Sequence, residues 1–193
     1  MASNKKERPP SFVTPIGIIK WAHVHKPKPP FKGEESKGSH YEVDIAFSIS
    51  DPAWKKWASE MKAKIDALPV QIDRETDLPM PHKQPIKFEF DGDKKTGNFT
   101  VKFKSNERFR PSVVDGQKNL IPENVIIGNG SLGRVSYTEA AYDRLGGGIA
   151  LYLNGVQVTK LEQYVPAARD HFPNDLPAQK AGPGLDESDT LPF

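Results

Sequence analysis

The sequence predicts a mainly β protein: a five-stranded barrel with extra hairpins, one inserted α-helix and a disordered C-terminal tail. Three observations predict it. Apolar and polar residues alternate with period two in several separate runs, as in half-buried strands. One stretch, from Asp51 to Leu68, carries helical spacing instead. Beyond residue 165 both periodicities vanish and proline recurs, at Pro166, Pro173, Pro177, Pro183 and Pro192.

Composition fits one medium domain with tails. The chain has 193 residues, only 36% of them hydrophobic, and 18 prolines, so a compact core carries long irregular segments. It has 0 cysteines, which excludes a disulfide framework and a thiolate zinc site and suits a reducing cytoplasm. No apolar run reaches membrane-spanning length, and MASNKKERPP has no signal-peptide pattern, so a soluble, cytosolic protein is expected. The net charge of +2 conceals an asymmetry. Asp186, Glu187 and Asp189 crowd the C-terminal tip with no base among them, leaving the body more basic than the total. That division suggests a polyanionic partner and a tail for interaction or regulation. The expected organisation is a flexible basic arm (1–10), one domain (11–165), and a disordered Pro-rich linker with an acidic tip (166–193).

Within the domain, Ser11 to Val24 reads as a strand whose start Pro15 confines to an edge or bulge. Lys26 to Ser39 is a loop of Pro, Gly and Lys around Phe31. In the next run Tyr41, Val43, Ile45, Phe47 and Ile49 form one face, and His40, Glu42, Asp44, Ala46 and Ser48 the other. Asp51 then caps a helix that Pro52 opens. Its apolar stripe is Trp54, Trp57, Ala58, Met61, Ile65 and Leu68, and Pro69 ends it. Val70 to Gln84 reads as a loop.

Pro85 to Pro111 has the pattern of a β-hairpin, with turn residues at Asp91-Gly92 and Thr96-Gly97-Asn98. Ile86, Phe88, Phe90, Phe99, Val101 and Phe103 are expected to face the core. Lys87, Lys102 and Lys104 lie on the opposite face, and Arg108, Phe109 and Arg110 follow at the exit. Val113 and Val114 suggest a short strand ending at Asp115-Gly116. Leu132 to Tyr142 reads as a strand bent at Gly133, and Gly146-Gly147-Gly148 as its exit. The alternation of Ile149, Leu151 and Leu153 then leads to Asn154-Gly155, a strong hairpin signal. The glycine run opens a strand rather than a helix, so it is no nucleotide-binding loop.

Catalytic patterns are absent. His23 and His25 share a face of an extended segment, but no acidic partner stands beside them or His40 in a metal-binding spacing. No nucleophile elbow, P-loop or dinucleotide fingerprint occurs. The expectation is a binding protein without cofactor or metal, not an enzyme.

A small barrel with basic, aromatic strands and long loops fits the OB fold. The segments RPSVVDG, GNGSLGRVSYTEAAYD and GGGIALYLNGVQVTKLEQY resemble the C-terminal half of bacteriophage single-stranded DNA-binding proteins. The tip LDESDTLPF is similar to the acidic end of bacterial single-stranded DNA-binding proteins, which closes with Pro-Phe. The resemblance covers most of residues 11–165 and the tip. It implies an OB fold and sequence-nonspecific binding of single-stranded DNA in phage replication, recombination and repair, in the host cytoplasm. It also implies a tail that recruits polymerase and helicase and competes for the groove, through Asp186, Glu187, Asp189 and Phe193. Three acids make a sparser tail than in some phage relatives, so docking through Phe193 is better supported than electrostatic competition.

On physical grounds, phosphate contact falls to Lys20, Lys87, Lys102, Lys104, Arg108, Arg110 and Arg134. Stacking on unpaired bases falls to Trp21, Phe109, Tyr137 and Tyr152. Trp21 reads as well as a core residue, and Tyr137 shares strand parity with Val135. Tyr152 lies opposite the Ile149, Leu151 and Leu153 face and is the better candidate. An RNA-binding module, or an adaptor working through its Pro-rich tail, remains open as an alternative.

Overall fold

A computed structural model describes residues 9–33, 36 and 38–164. Residues 1–8 of the expected arm and the expected linker and tip, with Asp186, Glu187, Asp189 and Phe193, lie outside the described residues.

Ten strands and one helix make up the described chain: β1 (Ser11–Val13), β2 (Gly17–Lys28), β3 (His40–Phe47), α1 (Pro52–Asp66), β4 (Gln71–Ile72), β5 (Pro79–Met80), β6 (Ile86–Asp91), β7 (Lys94–Asn106), β8 (Ser112–Val114), β9 (Leu132–Tyr142) and β10 (Gly148–Lys160). Five of them close a ring in the order β9–β2–β3–β7–β10, with β10 returning to β9. The pairs are antiparallel except β7–β10, which meet in parallel at Tyr152 and Lys104. This is the closed, five-stranded Greek-key barrel of an OB-like fold, as the sequence predicts. β1, β6 and β8 are additions outside the ring: β1 lies on β9, β6 on β7 and β8 on β10.

Alternation fills the barrel. Val43, Ile45, Val101, Phe103, Val135, Leu151 and Leu153 are buried in one cluster. The helix lies against it through Trp54, Trp57, Met61 and Ile65, the stripe that its spacing predicts. Its first turn is fixed by Asp51, whose carboxylate accepts from Ala53 N at 2.8 Å. Trp54 stacks on Phe47 at 4.2 Å between centroids and donates its indole N–H to Ile16 O at 2.7 Å. Large aromatic side chains thus enter the core with their polar atoms paired.

Several boundaries differ from expectation. Pro15 does more than confine a strand edge: the first run divides into β1, paired with β9, and β2, which continues to Lys28. The helix stops at Asp66, ahead of Pro69, because Ala67 N and Leu68 N close the last turn on Ala63 O and Ile65 O. Ile49 lies past the end of β3 and is exposed. Val70 to Gln84 is not only loop; it holds the two-residue pair β4–β5. Gly133 of β9 is a place of close approach, where a side chain would collide with the Gln157 carbonyl and with Ile19.

Asn154-Gly155 is not a hairpin turn. β10 runs straight through it, and the pair forms a bulge opposite Tyr137 and Ser136 of β9. Gly155 is needed there because Ser112 O of β8 would lie 2.9 Å from a Cβ. The bulge restores inward parity, so that Val156 and Val158 follow Leu151 and Leu153 into the core.

The hairpin of β6 and β7 turns at Gly92, with Asp91 opposite Lys94. Thr96-Gly97-Asn98 is therefore not a second turn. It supplies two extra residues to β7 between the Phe88–Phe99 and Phe90–Lys95 pairs. The expected burial is reversed here. Phe88 and Phe90 are exposed, and Glu89 between them is buried. β6 is an edge strand outside the ring, so its alternation no longer separates core from solvent.

Candidate nucleic-acid interface

In OB folds the second and third strands and their flanking loops form the usual oligonucleotide surface. Those strands are β3 and β7, with β2 beside them. Register places their outward residues in rows. One row joins Lys20, Asp44 and Lys102; the next joins His23, Glu42, Lys104 and Tyr152. A third joins Lys28, His40 and Asn106.

Glu42 is the centre of this surface. It is 1% exposed although it points away from the barrel core. Lys28 donates to its Oε1 at 2.7 Å, and Lys102 lies 3.4 Å and Lys104 3.5 Å from its Oε2. His40 Nε2 is 3.1 Å from the same oxygen. Burial pushes the Glu42 carboxyl up, but the Lys28 hydrogen bond, the Lys102 charge and His40 outweigh it and hold the group at about 2. The lysines are thus fanned around a buried counter-charge, with their side chains 28% (Lys28), 42% (Lys102) and 53% (Lys104) exposed. Asp44 differs. Burial raises its carboxyl, with the Lys102 charge opposing.

Beside these rows lies a cleft of about 460 Å³ lined by Lys20, Trp21, Phe88, Glu89, Phe90 and Asn129, among others. Trp21 sits on a bulge of β2, with φ at 50°, a left-handed conformation rare for a bulky residue. Its N–H donates to Asn129 Oδ1 at 2.8 Å, and its ring is 61% exposed. Glu89 closes one side. Burial would raise its carboxyl, but Lys20, Thr96 and Asn98 donate to it and hold it below its ordinary value. The extra residues of β7 thus have a purpose: they supply Thr96 and Asn98.

The expected site residues divide. Lys20, Trp21, Lys102, Lys104 and Tyr152 share the outer surface, and Lys87 is exposed on β6 opposite Thr100. Tyr152 is half exposed. Arg108 and Phe109 are exposed in the turn after β7. Arg110 is paired with Glu123 at 2.7 Å. Arg134 donates from Nε to Gln157 Oε1 at 2.7 Å and lines a separate cavity with Lys118. Tyr137 is no stacking platform. It is buried, its hydroxyl accepts from Trp57 Nε1 at 2.8 Å, and burial raises it to about 12.

Sequence reasoning missed Phe88 and Phe90 as surface rings, and Lys28, Glu42 and Glu89 as parts of the charge network. Glu42 and Asp44 were visible at alternating polar positions of β3, and Glu89 at one of β6. Only the register showed that Glu42 and Asp44 face Lys104 and Lys102.

No family model matches the chain, and no curated protein matches it. Solved structures do. Gp2.5 of bacteriophage T7, a single-stranded DNA-binding protein, superposes with a TM-score of 0.59 at 18% identity, over 90% of this chain and 100% of that one. The fold is that of phage single-stranded DNA-binding proteins. The single-stranded DNA-binding protein of bacteriophage Enc34, truncated at its C-terminus, gives 0.57 at 19% identity, over 79% of this chain and 87% of its own. The same protein in complex with single-stranded DNA gives 0.54 at 17%, over 79% and 88%. The fold that the motifs of residues 110–164 resemble is therefore the fold observed.

Proposed function

We propose that the protein binds single-stranded DNA with little regard to sequence, and protects and organises it during phage replication, recombination and repair. The observation that carries this reading is the outer surface of β2, β3 and β7, where lysines and exposed rings stand together. Lys20, Lys28, Lys102 and Lys104 track phosphates, releasing counterions as they do. Trp21, Phe88, Phe90 and Tyr152 offer faces for unpaired bases, each stack contributing roughly 1–3 kcal/mol. A duplex hides its base faces and forfeits that second contribution. The fold shared with proteins named for single-stranded DNA binding, one of them solved with that ligand, supports the reading.

The same proposal assigns the tip to partner recruitment. Asp186, Glu187 and Asp189 compete with phosphates, while Phe193 anchors polymerase or helicase. The protein works without catalysis or cofactor, in the host cytoplasm. Among the described residues no group of three or more His, Cys, Asp or Glu could hold a metal ion.

The test is a gel-shift titration with single- and double-stranded DNA of equal length at two salt concentrations, with matched RNA as competitor. Single-stranded DNA should bind more tightly than duplex and weaken steeply with salt. Preference for RNA would turn the reading to an RNA-binding module. Absence of nucleic-acid binding at low salt would favour an adaptor.

A further inference from the structure

The outer surface does not end at Tyr152. Tyr152 pairs with Thr138 of β9, which carries the row of His23, Glu42 and Lys104 on across β10. Toward the C-terminal end of β10 two more rows follow. Val13, Ser136, Gly155 and Ser112 form the first, and Arg134, Gln157 and Val114 the second. The first row is low in the middle, where serines flank a glycine. A hollow of about 410 Å³ results, walled by Val13 and Val114 and bordered by Arg134 and Lys118. Thr138 and Arg134 stand about 13 Å apart along β9, at a strand rise of about 3.3 Å per residue.

The cations at this hollow differ from those of the first surface. Lys20, Lys28, Lys102 and Lys104 each lie against a carboxylate. Among the described residues, Arg134 and Lys118 are in no ion pair. A neutral group holds Arg134 instead. Its Nε donates to Gln157 Oε1 at 2.7 Å, and Gln157 Nε2 donates in turn to Asp115 O at 3.1 Å and Gly116 O at 3.2 Å. That relay anchors the guanidinium and leaves its terminal nitrogens as a planar fork. Asp115, the acid of the same turn, spends its carboxylate on Gln117 N, Asn119 N and the Asn119 side chain. An oriented guanidinium with no counter-charge keeps its attraction for an anion, and its fork matches phosphate oxygens. Apolar walls beside it suit the sugar or the base face of the same nucleotide.

We propose that this hollow is a second nucleotide subsite, where Arg134, with Lys118, holds a backbone phosphate of a strand that has crossed Tyr152. The proposal rests on the single-strand reading and lengthens its track along β10. Continuity with the Lys104 and Tyr152 row favours nucleic acid as the occupant, because one strand can engage both places.

The experiment titrates the full-length protein with single-stranded oligonucleotides of graded length. Each is short enough to carry one protein molecule, checked by the mass of the complex. Wild-type affinity should rise in a step once the strand is long enough to reach from the Trp21 cleft past Tyr152 to the hollow. Arg134→Ala should remove that step. Long oligonucleotides should bind about tenfold more weakly, and the shortest should bind as before. The log–log salt slope for the long ones should fall by about 0.7, the share of one phosphate contact. Lys118→Asn keeps a residue suited to the left-handed backbone there and leaves Gln157 untouched. It should act in the same sense, and it decides the matter if Arg134→Ala does not fold by circular dichroism. Equal weakening at every length, or none at any, would overturn the proposal. So would binding of a peptide of residues 185–193 that Arg134→Ala abolishes while every DNA affinity holds, which gives the hollow to an acidic peptide. Failure of the single-strand reading is a different result: no oligonucleotide of any length would bind the wild type.

Discussion

Two hairpins in this molecule carry the same alternating pattern and mean different things by it. β9 and β10 lie inside the closed ring, each with neighbours on both sides. There alternation is inside against outside, and Val135, Tyr137, Leu151 and Leu153 are buried as a set. β6 and the start of β7 reach past the ring, with β6 as an edge. There Phe88 and Phe90 alternate just as regularly but are exposed. Alternation identifies a strand, while closure decides what its apolar face is for. Exposed rings on an edge hairpin beside a cationic surface are candidates for ligand contact rather than a failed core.

The largest effects should separate the two hairpins by what they damage. Leu153→Ala in the ring should cost about 2–5 kcal/mol of stability, read from denaturant unfolding, because it opens a cavity. Phe90→Ala on the edge should leave the unfolding midpoint nearly unchanged and weaken single-stranded DNA binding roughly five- to a hundredfold. Loss of stability in the second variant, with affinity intact, would place Phe90 in the core and erase the contrast. Tyr137→Phe is the next step down. It leaves Trp57 Nε1 without its acceptor and should cost about 1–3 kcal/mol of stability while DNA affinity holds. An affinity loss at constant stability would restore Tyr137 to the stacking surface.

A smaller effect concerns the counter-charge. The Glu42 carboxyl is held at about 2 in the folded protein, below its ordinary value of 4.5. A depressed carboxyl stabilises the fold fully above the unfolded value, and that contribution fades as pH falls from 4.5 toward 2. Glu42→Gln should therefore flatten the stability profile through that window, measured by thermal melts across pH. It should also free Lys28, Lys102 and Lys104 for phosphate, so that affinity falls more steeply with salt. Unchanged salt dependence would mean that those lysines do not meet the ligand. By the same logic, replacing Lys102 and Lys104 together does not leave a neutral surface, since buried Glu42 would keep only Lys28 and His40 close by.

The ring and its helix were legible because local signals agreed with the global fold. Asp51-Pro52, the Trp54 stripe and the β3 alternation each had one consistent outcome. The misread places were those where one signal serves two structures. Asn154-Gly155 suits a two-residue turn and equally a bulge, and the approach of Ser112 settles which. Thr96-Gly97-Asn98 reads as a turn, yet Glu89 across the hairpin uses its side chains. Single residues such as Trp21 and Lys20 were singled out by type and position, and both line the surface cleft. The ion network was not, because Glu42 and Lys104 are far apart in sequence and meet only through register.

The central claim is that single-stranded DNA stacks on the outer surface beside β2, and Trp21 reports on it directly. Of the 3 tryptophans, Trp54 and Trp57 are buried and Trp21 is exposed. The measurement is tryptophan fluorescence during titration with single-stranded DNA, for wild type and Trp21→Phe, with binding followed in parallel by anisotropy of labelled DNA. The account predicts saturable quenching in wild type that salt reverses, and no quenching in Trp21→Phe while anisotropy still reports binding. Binding without quenching in wild type, or quenching that survives in Trp21→Phe, would contradict it.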